Sequence, residues 1–111
     1  MKLIFGSSPL RGDIDGNVRK ARAYAKYIID SGNSPVLPHL FFTQMLDDYL
    51  TGERTAGIAC GMKWLEKSDE VWFFANGIDE FSEGMKAEYD LAVKLNKVIR
   101  FIDPAEISEK A

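Results

Sequence analysis

The order of apolar segments predicts a small α/β fold built on a parallel sheet. Two runs, Leu3 to Phe5 and Val71 to Phe74, are apolar with little polar alternation, as in strands covered on both faces. Pro35 to Leu37 and Val98 to Ile102 supply two further short strands, with helix-length stretches between the strands. Such alternation indicates βαβ units. Right-handed crossovers then favour strand order 2-1-3-4 with helices on both faces, as in small doubly wound, Rossmann- or flavodoxin-like sheets.

After the first strand and its loop, Ile14, Val18, Ala21, Ala25 and Ile28 recur at intervals of four and three, which makes one apolar helical stripe. Asp13 and Asp15 suit the positive N-terminal end of that helix, and Gly32 suits the position just past its C-terminus. The segment His39 to Leu50 carries Leu40, Phe41, Phe42, Met45, Leu46, Tyr49 and Leu50. It is read as a core cap, a pocket wall or a subunit interface. A second helix is expected over about Glu53 to Lys67, with Ile58, Met62 and Leu65 inward, and a third over about Ser82 to Asn96. Trp64 and Trp72 read as packing residues, and the residues after Pro104 as a frayed tail or a short terminal helix.

With 111 residues, 46% of them hydrophobic and 28% charged, the chain suits one folded domain over residues 1–111. A net charge of −3 gives no footprint for polymeric nucleic acid. No apolar run reaches the roughly 18 residues of a membrane span, and the start, Met1 to Phe5, lacks a signal-peptide pattern. Cys60 is the single cysteine, read as a buried helix residue. With one histidine and one cysteine no zinc cluster is expected, and Asp47-Asp48 is too isolated to argue for a metal. A cytoplasmic setting without disulfides is the expectation.

In open α/β sheets ligands bind beyond the carboxyl ends of the strands, where strand order reverses. That rule selects the loops Gly6 to Asp13, Pro38 to Thr43 and Ala75 to Glu83. The first offers Gly6 and Gly12 for close backbone approach, the hydroxyls of Ser7 and Ser8, and the planar fork of Arg11 for an anion, ahead of a helix N-terminus. It is neither a Walker A loop nor a dinucleotide glycine motif, and a plain helix-starting turn is the other reading. In the third helix the rows Gly84, Glu88, Leu91, Leu95 and Met85, Glu88, Ala92, Leu95 both run through Glu88, which puts a carboxylate on the face that should be apolar. An unpaired buried charge is costly, so Glu88 faces a cleft, as a nucleophile or general base would, or joins a structural ion pair.

Ser82 is an N-cap candidate, and Gly84 weakens the helix unless a ligand approaches its backbone. Asn76 and Asp79 either bond a base or ribose or make turns. His39, after Pro38, is a further candidate at the end of strand two.

Gly6-Ser7 with Arg11-Gly12, Trp64-Leu65 before Asp69, and Ser82-x-Gly84-x-x-x-Glu88 running on to Ala92 and Asn96-Lys97 resemble the nucleoside 2-deoxyribosyltransferase superfamily over about Met1 to Asp103. The pattern is closest to the 2'-deoxynucleoside 5'-phosphate N-hydrolase branch and its short phage-type relatives. The resemblance implies N-glycosidic chemistry on a small nucleoside or nucleotide, with Glu88 attacking C1' and Asp79 a candidate helper. Ser7, Ser8, Arg11, Gly12, Asp13, His39, Asn76, Ser82, Gly84, Met85 and the backbone of Gly6 would surround the ligand. It implies no cofactor, and a homodimer or larger assembly. Two positions depart from it. Gly61 stands where the family has an aspartate that assists the leaving base, with Asp79, Asp69 or Tyr89 as substitutes, and Phe5-Gly6 stands where the transferase branch has a tyrosine. The runner-up is a non-catalytic nucleotide-binding module of the same fold. A third reading is an interaction protein that uses Phe41 to Tyr49.

Overall fold

The computed structural model describes residues 1–107. Four parallel strands, β1 (Leu3–Ser7), β2 (Ser34–Val36), β3 (Glu70–Phe73) and β4 (Val98–Phe101), lie in the order β2-β1-β3-β4. Strand β1 pairs with β3 in the register Ile4 to Glu70 through Ser7 to Phe73, and β3 pairs with β4 from Glu70–Val98 onward. The expected sheet and its order are therefore present.

The two-residue period of the central strands divides the core into two layers. Ile4, Trp72 and Phe74 point to one face, where Ala21, Tyr24 and Ile28 of α1 (Ile14–Asp30) cover them. Phe5, Val71 and Phe73 point to the other, against Leu65 of α3 (Thr51–Lys67) and Met85 and Ala92 of α4 (Glu83–Lys94). With β1 and β3 buried on both faces, polar alternation has no place in them. Tyr24 stacks on Phe74 with ring centroids 4.2 Å apart, and Phe73 stacks on Phe81 at 4.9 Å.

The caps follow the sequence signals. The Asp13 carboxylate accepts from Gly16 N–H to start α1, and Gly32 takes φ +86° just past its end. Ser82 caps α4 by accepting from Met85 N–H. Beyond α4, Asn96 adopts φ +55°, and the Lys97 ammonium donates to the carbonyls of Glu66 and Ser68 at 2.8 and 2.7 Å. That cation holds the C-terminal end of α3 against the sheet.

The segment after β2 forms a short helix, α2 (Pro38–Phe41), and a 3₁₀ turn over Phe42–Gln44. Only Gly61 and Leu65 of α3 are buried, which corrects two expectations. Cys60 is exposed, and Ile58 is 44% exposed instead of packed in the core. Helix α3 rests on the sheet by its last turns, while its first half stands over the end of the sheet. Pro104–Glu106 make a 3₁₀ turn, and the remainder of the terminal segment, 108–111, lies outside the described residues. No helix among the described residues is long and apolar enough to cross a membrane.

Gly6 shows how tightly β1 meets the segment after β2. A Cβ there would lie 2.7 Å from the Cγ of Leu37, itself buried. Gly6→Ala is expected to lower stability by about 1–3 kcal/mol through overpacking, read as a lower urea midpoint at unchanged slope.

Candidate active site

Beyond the carboxyl ends of β1 and β2 lies a cleft of about 510 Å³. Its near wall is the loop after β1 (Ser8, Leu10, Arg11) and its far walls are the segment Pro38 to Asp48 and the first half of α3. The first turns of α4 close it with Ser82, Glu83, Gly84, Ala87 and Glu88. Six sequence-selected residues thus meet in one cavity: Ser8, Arg11, His39, Ser82, Gly84 and Glu88.

Glu88 sits on α4 facing β1, half-buried, and its Oε1 accepts from the Ser7 hydroxyl at 2.6 Å. No lysine or arginine forms an ion pair with it among the described residues. Burial pushes its carboxyl from the ordinary 4.5 up to about 7, against the opposing pull of the Ser7 hydroxyl. About half the molecules would then carry the carboxylate at neutral pH. Ser7 is itself 1% exposed, so the contact is shielded from bulk water.

Next to it the Ser8 hydroxyl is buried without a hydrogen-bond partner, on the wall shared by this cleft and a smaller 220 Å³ cavity. An orphaned buried hydroxyl needs an account, and a ligand oxygen would supply its partner. A side chain at Gly84 would meet only the Ser82 oxygen within 4 Å, at 3.9 Å. The start of α4 is therefore open to a ligand, with the helix N-terminus behind it.

The opposite wall has a different chemistry. Pro38, Phe42, Leu46, Ile58 and Met62 make it apolar, and Gly57 and Gly61 leave it smooth. Of its polar side chains, His39 and Thr43 are hydrogen-bonded, whereas the Arg54 Nε is buried without a hydrogen-bond partner among the described residues. His39 faces the Ser8 carbonyl through Nε2 at 2.8 Å, and because a carbonyl only accepts, that nitrogen carries the proton. Burial holds the imidazole below its usual range, with the Ser8 contact and Asp48 pulling the other way. The Thr43 hydroxyl donates to the His39 carbonyl at 2.6 Å.

At the mouth, Asp48 accepts from Arg11 Nε at 2.8 Å, and Arg54 Nε lies 3.6 Å from its second oxygen. The sequence reading did not select Asp48 or Arg54. Asp48 stands 37 residues from Arg11, and only the chain reversal after β2 brings them together.

The other selected residues lie apart from this lining. Gly6 packs on Leu37, Ser7 reaches the site through Glu88, and Gly12 occupies a φ +100° turn. Asp13 is the cap of α1, and Met85 is a core residue that also edges the smaller cavity. Asn76 and Asp79 are exposed in the loop after β3, outside the cleft lining. Asp69 accepts from Leu3 N–H at the opposite end of the strands, and Tyr89 packs against Phe73 and Phe81. Gly61 lines the cleft wall, where a Cβ would approach Pro38 Cγ at 3.3 Å.

The fold that carries this cleft has a solved counterpart. The 2-deoxyribosyltransferase from the psychrotolerant bacterium Bacillus psychrosaccharolyticus superposes with a TM-score of 0.67 over 92% of this chain and 72% of that one, at 17% identity. At that identity the likeness establishes a shared fold. No curated protein matches the chain. A family model described as a domain of unknown function (DUF7768) matches residues 2–102. The fold of this chain is similar to that of a 2-deoxyribosyltransferase, and the chain itself belongs to the DUF7768 family.

Proposed function

We propose that the protein is an N-glycosidase-like enzyme that cleaves or transfers the base of a small nucleoside or nucleotide, with Glu88 as nucleophile. The observation that carries this reading is the Glu88 carboxyl, without a cationic partner among the described residues and held by the Ser7 hydroxyl at the wall of a nucleoside-sized cleft. In its ionised form one Glu88 oxygen attacks C1' of the sugar as the C1'–N bond breaks, through an oxocarbenium-like transition state. Water or a second base then takes the sugar from the glycosyl-enzyme. Ser7 orients the carboxylate. The N-terminus of α4, with Ser82 and Gly84, would receive the sugar or its 5'-phosphate. The exposed rings and chains of Phe41, Met45, Tyr49 and Leu50 beside the cleft fit a homo-oligomer.

The second reading, a binding module that holds a nucleotide without cleaving it, draws on one feature. The smooth wall at Gly57 and Gly61 offers the base no acid.

Chromatography of base release separates the two. Wild type and Glu88→Ala are incubated with ribo- and deoxynucleosides and their 5'-monophosphates, including N-alkylated forms. Base release by the wild type above the variant's background is the expected result. Thermal stabilisation by one of these compounds without release from any would establish the binding module instead.

A further inference from the structure

The wall that faces the leaving group narrows the substrate class, on the premise that Glu88 is the nucleophile. Displacement at C1' puts the nucleophile and the leaving base on opposite faces of that carbon. With Glu88 on α4, the base departs toward the wall made by Pro38 to Asp48 and α3. A neutral purine or pyrimidine leaves as an anion unless a side chain protonates it, and that help contributes roughly 10²–10⁴ in rate.

Each acid-bearing or hydroxyl side chain among the described residues of that wall already carries a hydrogen bond or ion pair. The His39 proton is committed to the Ser8 carbonyl and the Thr43 proton to the His39 carbonyl. Asp48 is taken up by Arg11 and Arg54, and Glu53 Oε1 accepts from Asp47 N–H at 2.9 Å. A guanidinium does not surrender its proton near neutral pH. Glu83 belongs to α4, on the nucleophile's side of the cleft. The wall instead offers apolar contact from Phe42, Leu46 and Met62.

We propose that the cleft acts on cationic N-glycosides, nucleosides or nucleotides whose quaternised, positively charged base departs as a neutral heterocycle. Such a base needs no proton. The C1'–N electron pair returns to the ring nitrogen and cancels its charge, while a Glu88 oxygen bonds to C1'. Water then adds at C1' and releases Glu88, its extra proton passing to solvent. The ring meets Phe42, Leu46 and Met62, and the ionised Glu88 supplies its counter-charge.

Matched pairs test this. 7-Methyl-2'-deoxyguanosine is set against 2'-deoxyguanosine, and nicotinamide riboside against its dihydro form, each with and without a 5'-phosphate. Because cationic glycosides are intrinsically more labile, the readout for each compound is wild-type release divided by release with Glu88→Ala. The expected result is a ratio at least ~100-fold higher for the cationic member of a pair. Equal ratios above one for both members would overturn the substrate class and leave the Glu88 chemistry standing. Ratios of one throughout would remove the glycosidase reading, and this inference with it.

Discussion

Glu88→Gln is expected to lower base release at least about 10³-fold while making the protein more stable at pH 8. The two effects have one cause. The proposed catalysis needs an anionic oxygen in a half-buried site, and folding must keep that group out of bulk water. Glutamine keeps an acceptor for the Ser7 hydroxyl, so the 2.6 Å contact survives in kind while the nucleophile does not. Loss of a nucleophile costs orders of magnitude in turnover because no neighbouring group replaces its bond to the substrate.

The stability effect follows from the carboxyl's rise from 4.5 to about 7 on folding. Between those values the folded chain keeps a proton that the unfolded chain has lost, so stability falls as pH rises through the window. Above 7 the cost is complete, on the order of 3 kcal/mol for a shift of this size. Other groups contribute to the wild-type curve. His39, held low by burial, adds stability as pH rises toward 6.5. Glu70, held below its usual range first by the Lys2 hydrogen bond and then by that of Trp72, adds stability that is lost as pH falls below about 4.5. Both are unchanged in the variant, so the difference between the two melting curves isolates Glu88. The difference should be near zero at pH 4 and reach on the order of 10 °C by pH 8. A difference independent of pH would show that Glu88 does not titrate in this window.

Glu88 was legible in the sequence because it breaks a local rule. A carboxylate at the crossing of two apolar helical rows is a conflict that a short stretch of sequence suffices to display. The sheet was legible for a similar reason, since burial of β1 and β3 on both faces removes polar residues from short contiguous runs. The ion pairs at the cleft mouth carry no local signal. Asp48 and Arg11 become neighbours through tertiary packing alone, and Asp48 on its own reads as a surface acid. Helix α3 misleads for a different reason. Ala56, Gly57, Ala59, Cys60 and Gly61 are small enough to suit a core, but most of that stretch is exposed because the helix overhangs the sheet. Asn96-Lys97, part of the family-like pattern, has a structural role here. Asn96 turns the chain with a positive φ, and Lys97 holds the carbonyls at the end of α3.

Gly61→Asp is the gain-of-function counterpart of the missing acid, with an expected rise of roughly 10²–10⁴ in base release from neutral nucleosides. Position 61 lines the cleft wall opposite Glu88, toward which the base departs in the proposed reaction, so a carboxyl introduced there would have the group it must protonate within the same cavity. The new Cβ comes within 3.3 Å of Pro38 Cγ, so the proline must move by a few tenths of an ångström. Gly61→Ala carries the same Cβ without the acid and therefore measures the crowding alone. If the wall lacks only a proton donor, aspartate raises release from 2'-deoxyguanosine and alanine does not, while release from the 7-methyl cation stays near the wild-type rate in both. The gain on the neutral substrate should depend on the protonated form of the introduced carboxyl and decline at alkaline pH, whereas release from nicotinamide riboside, whose ring charge does not titrate, should not. If alanine and aspartate behave alike on the neutral substrate, the wall opposite Glu88 is not where the base departs.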